Sequence, residues 1–180
     1  MFQTSFEEFV RLRITPEIGP TRPYDLAPID RSKLGMSYAQ HMAEIGNVAA
    51  SEAQLKIAED LLEGRGPSTS LVLADAQIAR AALMLRRQDF AGANRLLQLA
   101  QENCRDRLPV SNPRKAILET YMTIGKLGAQ GAAASDFGAL ARYVGDKVAS
   151  LGQPSAKASF TAWLQPNGNR DWAQLPLARL

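Results

Sequence analysis

The sequence is poor in the residues from which catalytic and metal sites are most often built. Among its 180 residues it has one cysteine, Cys104, and one histidine, His41. A single cysteine excludes an intrachain disulfide, and a lone histidine rarely forms a zinc site. A catalytic Cys104 would need His41 as its base, and no sequence pattern brings the two together. We therefore predict no cofactor, no metal and no enzymatic activity. The alternative is a small enzyme in which both residues converge with acids in a pocket.

Long apolar runs and nucleotide-binding patterns are also lacking. No apolar stretch approaches the roughly 20 residues that a membrane span requires. Acidic residues stand near the N-terminus, where a signal peptide would be basic. We therefore expect a protein that folds in the cytoplasm and either stays there or joins a larger particle. The glycine-rich stretch 64–70 lacks the lysine of a phosphate loop, and we interpret it as a turn and a helix cap.

Charge is distributed unevenly along the chain. Residues 1–64 carry a net charge of −4, and residues 65–180 carry +7. This asymmetry is compatible with head-to-tail packing against a second copy or an oppositely charged partner, and equally with chance on solvated faces. Two groups of basic residues stand out. Arg80, Arg86, Arg87 and Arg95 flank one predicted hairpin, and Arg105, Arg107, Arg114 and Lys115 flank the next loop. Because acids are interleaved with them and no docking motif is present, we favour a solvated face or a protein contact over nucleic acid.

Aromatic residues make up only 7% of the chain, and alanine dominates its middle. Strands prefer β-branched and aromatic residues, so this composition predicts an all-α fold. Residues 31–152 are predicted to form a helical body of about three antiparallel hairpins, similar to a helical-repeat bundle. Its six helices are expected at about 31–46, 48–63, 70–87, 90–104, 113–127 and 136–151. The predicted caps are Asp30 or Ser32 for the first helix, Asp89 for the fourth and Asn112 for the fifth.

Both ends of the chain are predicted to differ from the body. Residues 1–30 form an N-terminal arm followed by an extended strap, because four prolines between residues 15 and 30 forbid a regular helix. The arm carries Phe2, Phe6 and Phe9 on one helical face, which either packs on the body or docks on a neighbouring subunit. Residues 153–180 are predicted to be an irregular tail that docks through Trp163 and Trp172.

A pattern in the fourth predicted helix recurs in the sixth. The stretch 89–97 reads DFAGANRLL, and the stretch 136–144 reads DFGALARYV. The acid, the aromatic, the small Ala93 and the apolar pair at 96–97 resemble the second helix of a tetratricopeptide repeat. The resemblance implies stacked helical hairpins that bind protein partners. The two copies are 47 residues apart, whereas that family has a period of about 34. The observed interval is closer to that of longer helical-hairpin repeats. Arg80 is a second departure, because it stands where the family has an apolar residue.

These features together predict a non-catalytic structural or adaptor subunit of a larger protein assembly. Its partners are expected to be other protein subunits, copies of itself included, bound through helical surfaces and through Phe2, Phe6, Phe9, Trp163 and Trp172. One alternative is a tetratricopeptide-like adaptor or chaperone. Another is a phage, flagellar or type III secretion component, because residues 64–100 are similar in texture to the small rod and rod-adaptor subunits of those machines.

Overall fold

The computed structural model of the chain describes residues 26–105, 107–109, 112–131, 137, 140, 154–164 and 171–177. These residues contain α-helices and short 3-10 turns and no β-strand, which confirms the all-α class. The predicted N-terminal arm and strap, with Phe2, Phe6 and Phe9, lie outside the described residues. So does most of the predicted sixth helix, although Phe137 and Leu140 are described and are helical and buried.

Six α-helices occur in the described part of the chain. They are α1 (Pro28–Glu44), α2 (Val48–Leu62), α3 (Ser70–Arg86), α4 (Phe90–Cys104), α5 (Pro113–Ala129) and α6 (Pro154–Leu164). The described residues also include two 3-10 turns, Pro67–Thr69 and Trp172–Gln174. The chain divides into two compact units, Met1–Ala76 and Gln77–Leu180, and the boundary falls inside α3.

In the first unit, α1 packs along α2 and runs antiparallel to it. The hydroxyl of Ser32, near the start of α1, donates a 3.1 Å hydrogen bond to the carbonyl of Ala58, near the end of α2. Between them lies an apolar seam in which Met42, Leu55 and Leu62 are buried. The short connection is possible because Gly46 takes a φ of 84° and Asn47 caps α2, accepting from the Ala50 amide at 3.2 Å.

The predicted start of α1 is wrong. The helix begins at Pro28, with Ala27 in the cap position and no side-chain cap. Proline is favoured at the first helical position because the missing N–H would have no partner there, so Pro28 belongs to the helix and not to the strap. Ser32 lies inside the helix, and its fully buried hydroxyl serves the contact with α2.

In the second unit, α4 and α5 form an antiparallel pair with predicted caps at both starts. The Asp89 carboxylate accepts from the Gly92 amide at 2.9 Å, and Asn112 accepts from the Arg114 amide at 3.0 Å. Both caps are confirmed, as is the burial of the predicted apolar faces at Leu97 and Tyr121. This pair supplies the scaffold on which the C-terminal residues are held.

The prediction of an irregular tail is wrong for Pro154–Leu164, which forms α6. Pro154 again occupies the first helical turn, where proline is tolerated. Phe160 and Leu164, one turn apart, are almost completely buried and share a face of this helix. Phe160, one of the aromatic residues in the stretch predicted to be irregular, thus belongs to the buried face of a short helix.

The connection between α3 and α4 contains a residue with left-handed backbone geometry. Gln88 has a φ of 60°, and the following Asp89 amide donates to the Met84 carbonyl at 2.9 Å. This is the Schellman arrangement, in which the left-handed position is usually glycine. A residue with a Cβ is strained there by roughly 1–2 kcal/mol.

We expect Gln88→Gly to raise the free energy of unfolding by about 0.5–1 kcal/mol, because relief of the strain exceeds the added chain entropy of glycine. Urea titration followed by circular dichroism measures the change. Gln88→Ala keeps the Cβ and is the matched control, with no gain expected. Equal stability of both variants would contradict a strained Gln88.

Candidate partner-binding surface

Four aromatic rings from distant parts of the sequence meet in the second unit. Phe90 begins α4, Trp163 lies near the end of α6, and Trp172 begins the last 3-10 turn. Trp172 is 4.9 Å from Phe90 and 5.3 Å from Trp163, measured between ring centroids, and both pairs are edge-to-face. Phe137 completes the group, 6.1 Å from Trp172 and 6.3 Å from Trp163. We call these four residues the aromatic cluster.

Phe90 has its place in the cluster because α5 has a glycine opposite it. A Cβ on Gly128 would overlap the Phe90 ring, so glycine is needed for the ring to approach α5 this closely. One turn away, the lack of a Cβ on Gly125 likewise leaves room for the side chain of Asn94. The antiparallel α4–α5 pair is therefore close-packed where the cluster begins.

Both predicted tryptophan anchors, Trp163 and Trp172, lie in the aromatic cluster. Each is half-buried against its own chain. The expected docking of the aromatic C-terminal residues thus occurs within the chain. Phe90 and Phe137 were not predicted to be their partners. Both are, however, the phenylalanines of the repeated Asp-Phe pair at residues 89–90 and 136–137.

The described residues after α6 are held by side chains of the preceding helices. We call Asp171–Leu177 the C-terminal segment. The Trp163 indole N–H donates to the Asp171 carbonyl at 2.8 Å, and the Asp171 carboxylate caps the 3-10 turn by accepting from the Ala173 amide at 3.0 Å. Leu175 follows the turn with φ −52° and ψ 126°, the extended geometry that a residue before proline prefers.

Two consecutive carbonyls of the C-terminal segment accept hydrogen bonds from distant helices. Arg86 Nε, at the end of α3, donates to the Leu175 carbonyl at 2.8 Å. The Tyr121 hydroxyl, on α5, donates to the Pro176 carbonyl at 2.7 Å. The Leu175 side chain between these bonds is completely buried. At these two residues the segment is thus held through its backbone and through the apolar side chain of Leu175.

Burial lowers the pKa of Arg86 from its ordinary value, and the neighbouring Tyr121 acts in the opposite direction. A guanidinium stays protonated in proteins even so, and its N–H groups remain donors. Hydrogen bonds from a charged donor are stronger than neutral ones. Arg86 therefore binds the C-terminal segment of its own chain, whereas from the sequence it was grouped with cations on a solvated or protein-binding face.

A groove of about 310 Å³ lies beside the end of α4 and the start of α5. It is lined by Gln98, Gln101, Glu102, Cys104, Arg105, Leu108, Lys115, Leu118 and Glu119. The lining combines two cations, Arg105 and Lys115, with two acids, Glu102 and Glu119, and the Cys104 and Leu118 side chains are buried. Such a lining suits a polar peptide better than a polyanion, which would meet two carboxylates.

The two residues with catalytic chemistry lie in different units. His41 is half-buried on α1 in the first unit, and Cys104 is buried at the end of α4 in the second. Across the described ranges, no group of three or more His, Cys, Asp and Glu side chains is arranged to hold a metal ion. Within the same ranges, no helix has the length and apolarity needed to cross a membrane.

Comparison with known proteins identifies no relative: no protein-family model, no curated protein and no solved structure matches the chain.

Proposed function

We propose that the chain is a non-catalytic structural or adaptor subunit of a larger protein assembly. The observation that supports this proposal is the aromatic cluster, in which Trp163 and Trp172 are half-buried and edge-to-face. Tryptophan is enriched among the residues that contribute most to protein–protein binding. A pair of rings already ordered by Phe90 and Phe137 loses little side-chain entropy when a partner covers it.

In this proposal the partners are protein subunits, and further copies of the chain are included among them. The finer architecture belongs to the proposal as well: three stacked hairpins, an extended N-terminal strap, and an arm whose Phe2, Phe6 and Phe9 supply a second aromatic anchor. We propose folding in the cytoplasm before incorporation into the assembly. Nucleic acid is not among the proposed partners, because Arg86 bonds within the chain and the groove cations stand among acids.

A tetratricopeptide-like adaptor or chaperone is the second candidate function, and the α4–α5 groove favours it. The groove lies beside the helix whose sequence resembles that family, and its mixed charges match an extended peptide with polar side chains. Binding there would not need self-association. The two candidates therefore differ in the mass of the native particle.

Light scattering of the purified full chain separates these functions. The assembly proposal predicts a mass that rises with concentration from the 19.6 kDa of the monomer to a defined multiple. Trp163→Ala is expected to weaken self-association at least tenfold because it removes an aromatic anchor. The control is Leu99→Ala, which removes an exposed apolar side chain on α4 outside the cluster. We expect this control to associate like the wild type.

A monomer at every concentration would contradict the assembly proposal and leave the peptide adaptor. A closed ring or a helical filament would contradict the free adaptor and point to a phage or secretion-machine subunit. Equal effects of Trp163→Ala and Leu99→Ala would remove the aromatic cluster from the interface.

A further inference from the structure

The C-terminal segment is bound to the second unit in the way that a short peptide ligand is bound. Its main polar contacts are backbone carbonyls at Leu175 and Pro176, which accept from Arg86 and Tyr121. These donors are 89 and 55 residues away in sequence, so the contacts do not depend on local chain connectivity. A segment with the same sequence on another molecule presents the same groups.

Three side-chain features add specificity to these backbone contacts. Leu175 is completely buried, and Trp172 packs edge-on against Phe90 and Trp163. Pro176 fixes its own backbone and restricts Leu175 to extended geometry, which lowers the entropy lost on binding. The site thus selects a Trp-x-x-Leu-Pro pattern, with two intervening positions, Ala173 and Gln174, that are exposed.

We infer that this site is a peptide-recognition site that also accepts the C-terminal segment of a second copy of the chain. This inference rests on the proposed function, because it names the partner and the contact through which the assembly forms. A second copy is the occupant because every copy carries a segment that already fits the site. At low protein concentration the site is occupied by the segment of its own chain, because that segment has a high effective concentration. As the protein concentration rises, the segment of a second copy occupies the site more often.

Two complementary full-chain variants test the exchange. Arg86→Met/Tyr121→Phe removes the donors to the Leu175 and Pro176 carbonyls and keeps the segment, whereas Leu175→Asp keeps the site and prevents insertion of its own segment. Neither variant alone can form both halves of the contact. We expect each variant to be a monomer by light scattering and an equimolar mixture to give a heterodimer. Far-ultraviolet circular dichroism establishes that each variant is folded.

A peptide measurement keeps the inference testable if the double variant does not fold. A blocked synthetic peptide with the sequence of residues 171–177 is titrated into full-length Leu175→Asp and into the wild type, with fluorescence anisotropy as the readout. We expect at least tenfold tighter binding to Leu175→Asp, since the wild-type site is already occupied by its own segment. The control peptide carries aspartate in place of Leu175 and should not bind.

Each outcome bears on the inference. A peptide that fails to bind folded Leu175→Asp would overturn the recognition site, while wild-type self-association through other surfaces would leave the proposed function standing. Peptide binding without a heterodimer from two folded variants would overturn the second copy as occupant. A heterodimer, together with a wild type that stays monomeric at all concentrations, would support the site and contradict the assembly function.

Discussion

Replacing Phe160 by alanine is expected to lower the free energy of unfolding of the second unit by about 3–5 kcal/mol. The Phe160 side chain is 1% exposed, and its ring lies edge-to-face with that of Tyr121 at a centroid distance of 5.5 Å. Truncation removes the apolar transfer energy, leaves a cavity and deletes the aromatic pair. Because Tyr121 also holds the Pro176 carbonyl, the loss should loosen the C-terminal segment. Denaturant titration monitored by circular dichroism measures the stability change.

Two variants of α6 control for this result. Phe160→Leu keeps most of the buried volume and should cost less than about 1.5 kcal/mol. Ala162→Ser changes an exposed position on the opposite face and should stay within about 0.5 kcal/mol of the wild type. A loss below about 1 kcal/mol for Phe160→Ala would contradict the docking of α6 on α5.

Gly128→Ala is expected to lower the free energy of unfolding by about 1–2 kcal/mol, although alanine is the better helix former by about 1 kcal/mol. The added methyl group would overlap the ring of Phe90. That ring cannot move aside freely, because Trp172 packs against it at 4.9 Å. Overpacking against a rigid ring therefore outweighs the gain in helix propensity. Thermal or urea unfolding of the variant measures the net effect.

Gly125→Ala is the matched control on the same face of α5. Its methyl group would meet the amide end of Asn94, a side chain that can turn away. Because that rearrangement offsets only part of the roughly 1 kcal/mol that alanine gains in helix propensity, we expect no loss of stability for this variant. In a double-mutant cycle, Phe90→Leu should reduce the cost of Gly128→Ala, because a flexible side chain replaces the ring. Stabilisation by Gly128→Ala, as for an ordinary helical glycine, would contradict the close contact with Phe90.

The parts of the fold that local chemistry determines could be predicted from the sequence. Asp89 and Asn112 cap their helices as expected because an N-cap needs only a short acceptor side chain and the amides that follow it. The periodic apolar positions identified the buried faces of α4 and α5 for the same local reason. Pro28 misled the prediction because a proline signals both an extended strap and a first helical turn.

Features that depend on distant contacts could not be predicted in the same way. The sequence around Phe160 and Trp163 is rich in aromatics and followed by prolines and glycine, which obscured the short helix α6. Tyr121 was correctly expected in a buried stripe, but its hydroxyl partner lies 55 residues away. Arg86 looked like one of many surface cations, and only the folded chain brings the Leu175 carbonyl to it. Of the aromatic cluster, the sequence therefore pointed to Trp163 and Trp172 but not to Phe90 and Phe137.

The position of the two tryptophans also gives the chain an optical property. Trp163 and Trp172 are the only tryptophans in the sequence, and their rings lie 5.3 Å apart with 71° between their planes. Indole transitions at that separation are expected to couple as an exciton pair and to give a split circular dichroism band that isolated indoles lack. Detachment of Trp172 would abolish the splitting while the helices remain. The C-terminal residues thus carry an intrinsic chromophore pair that reports their attachment without any added label.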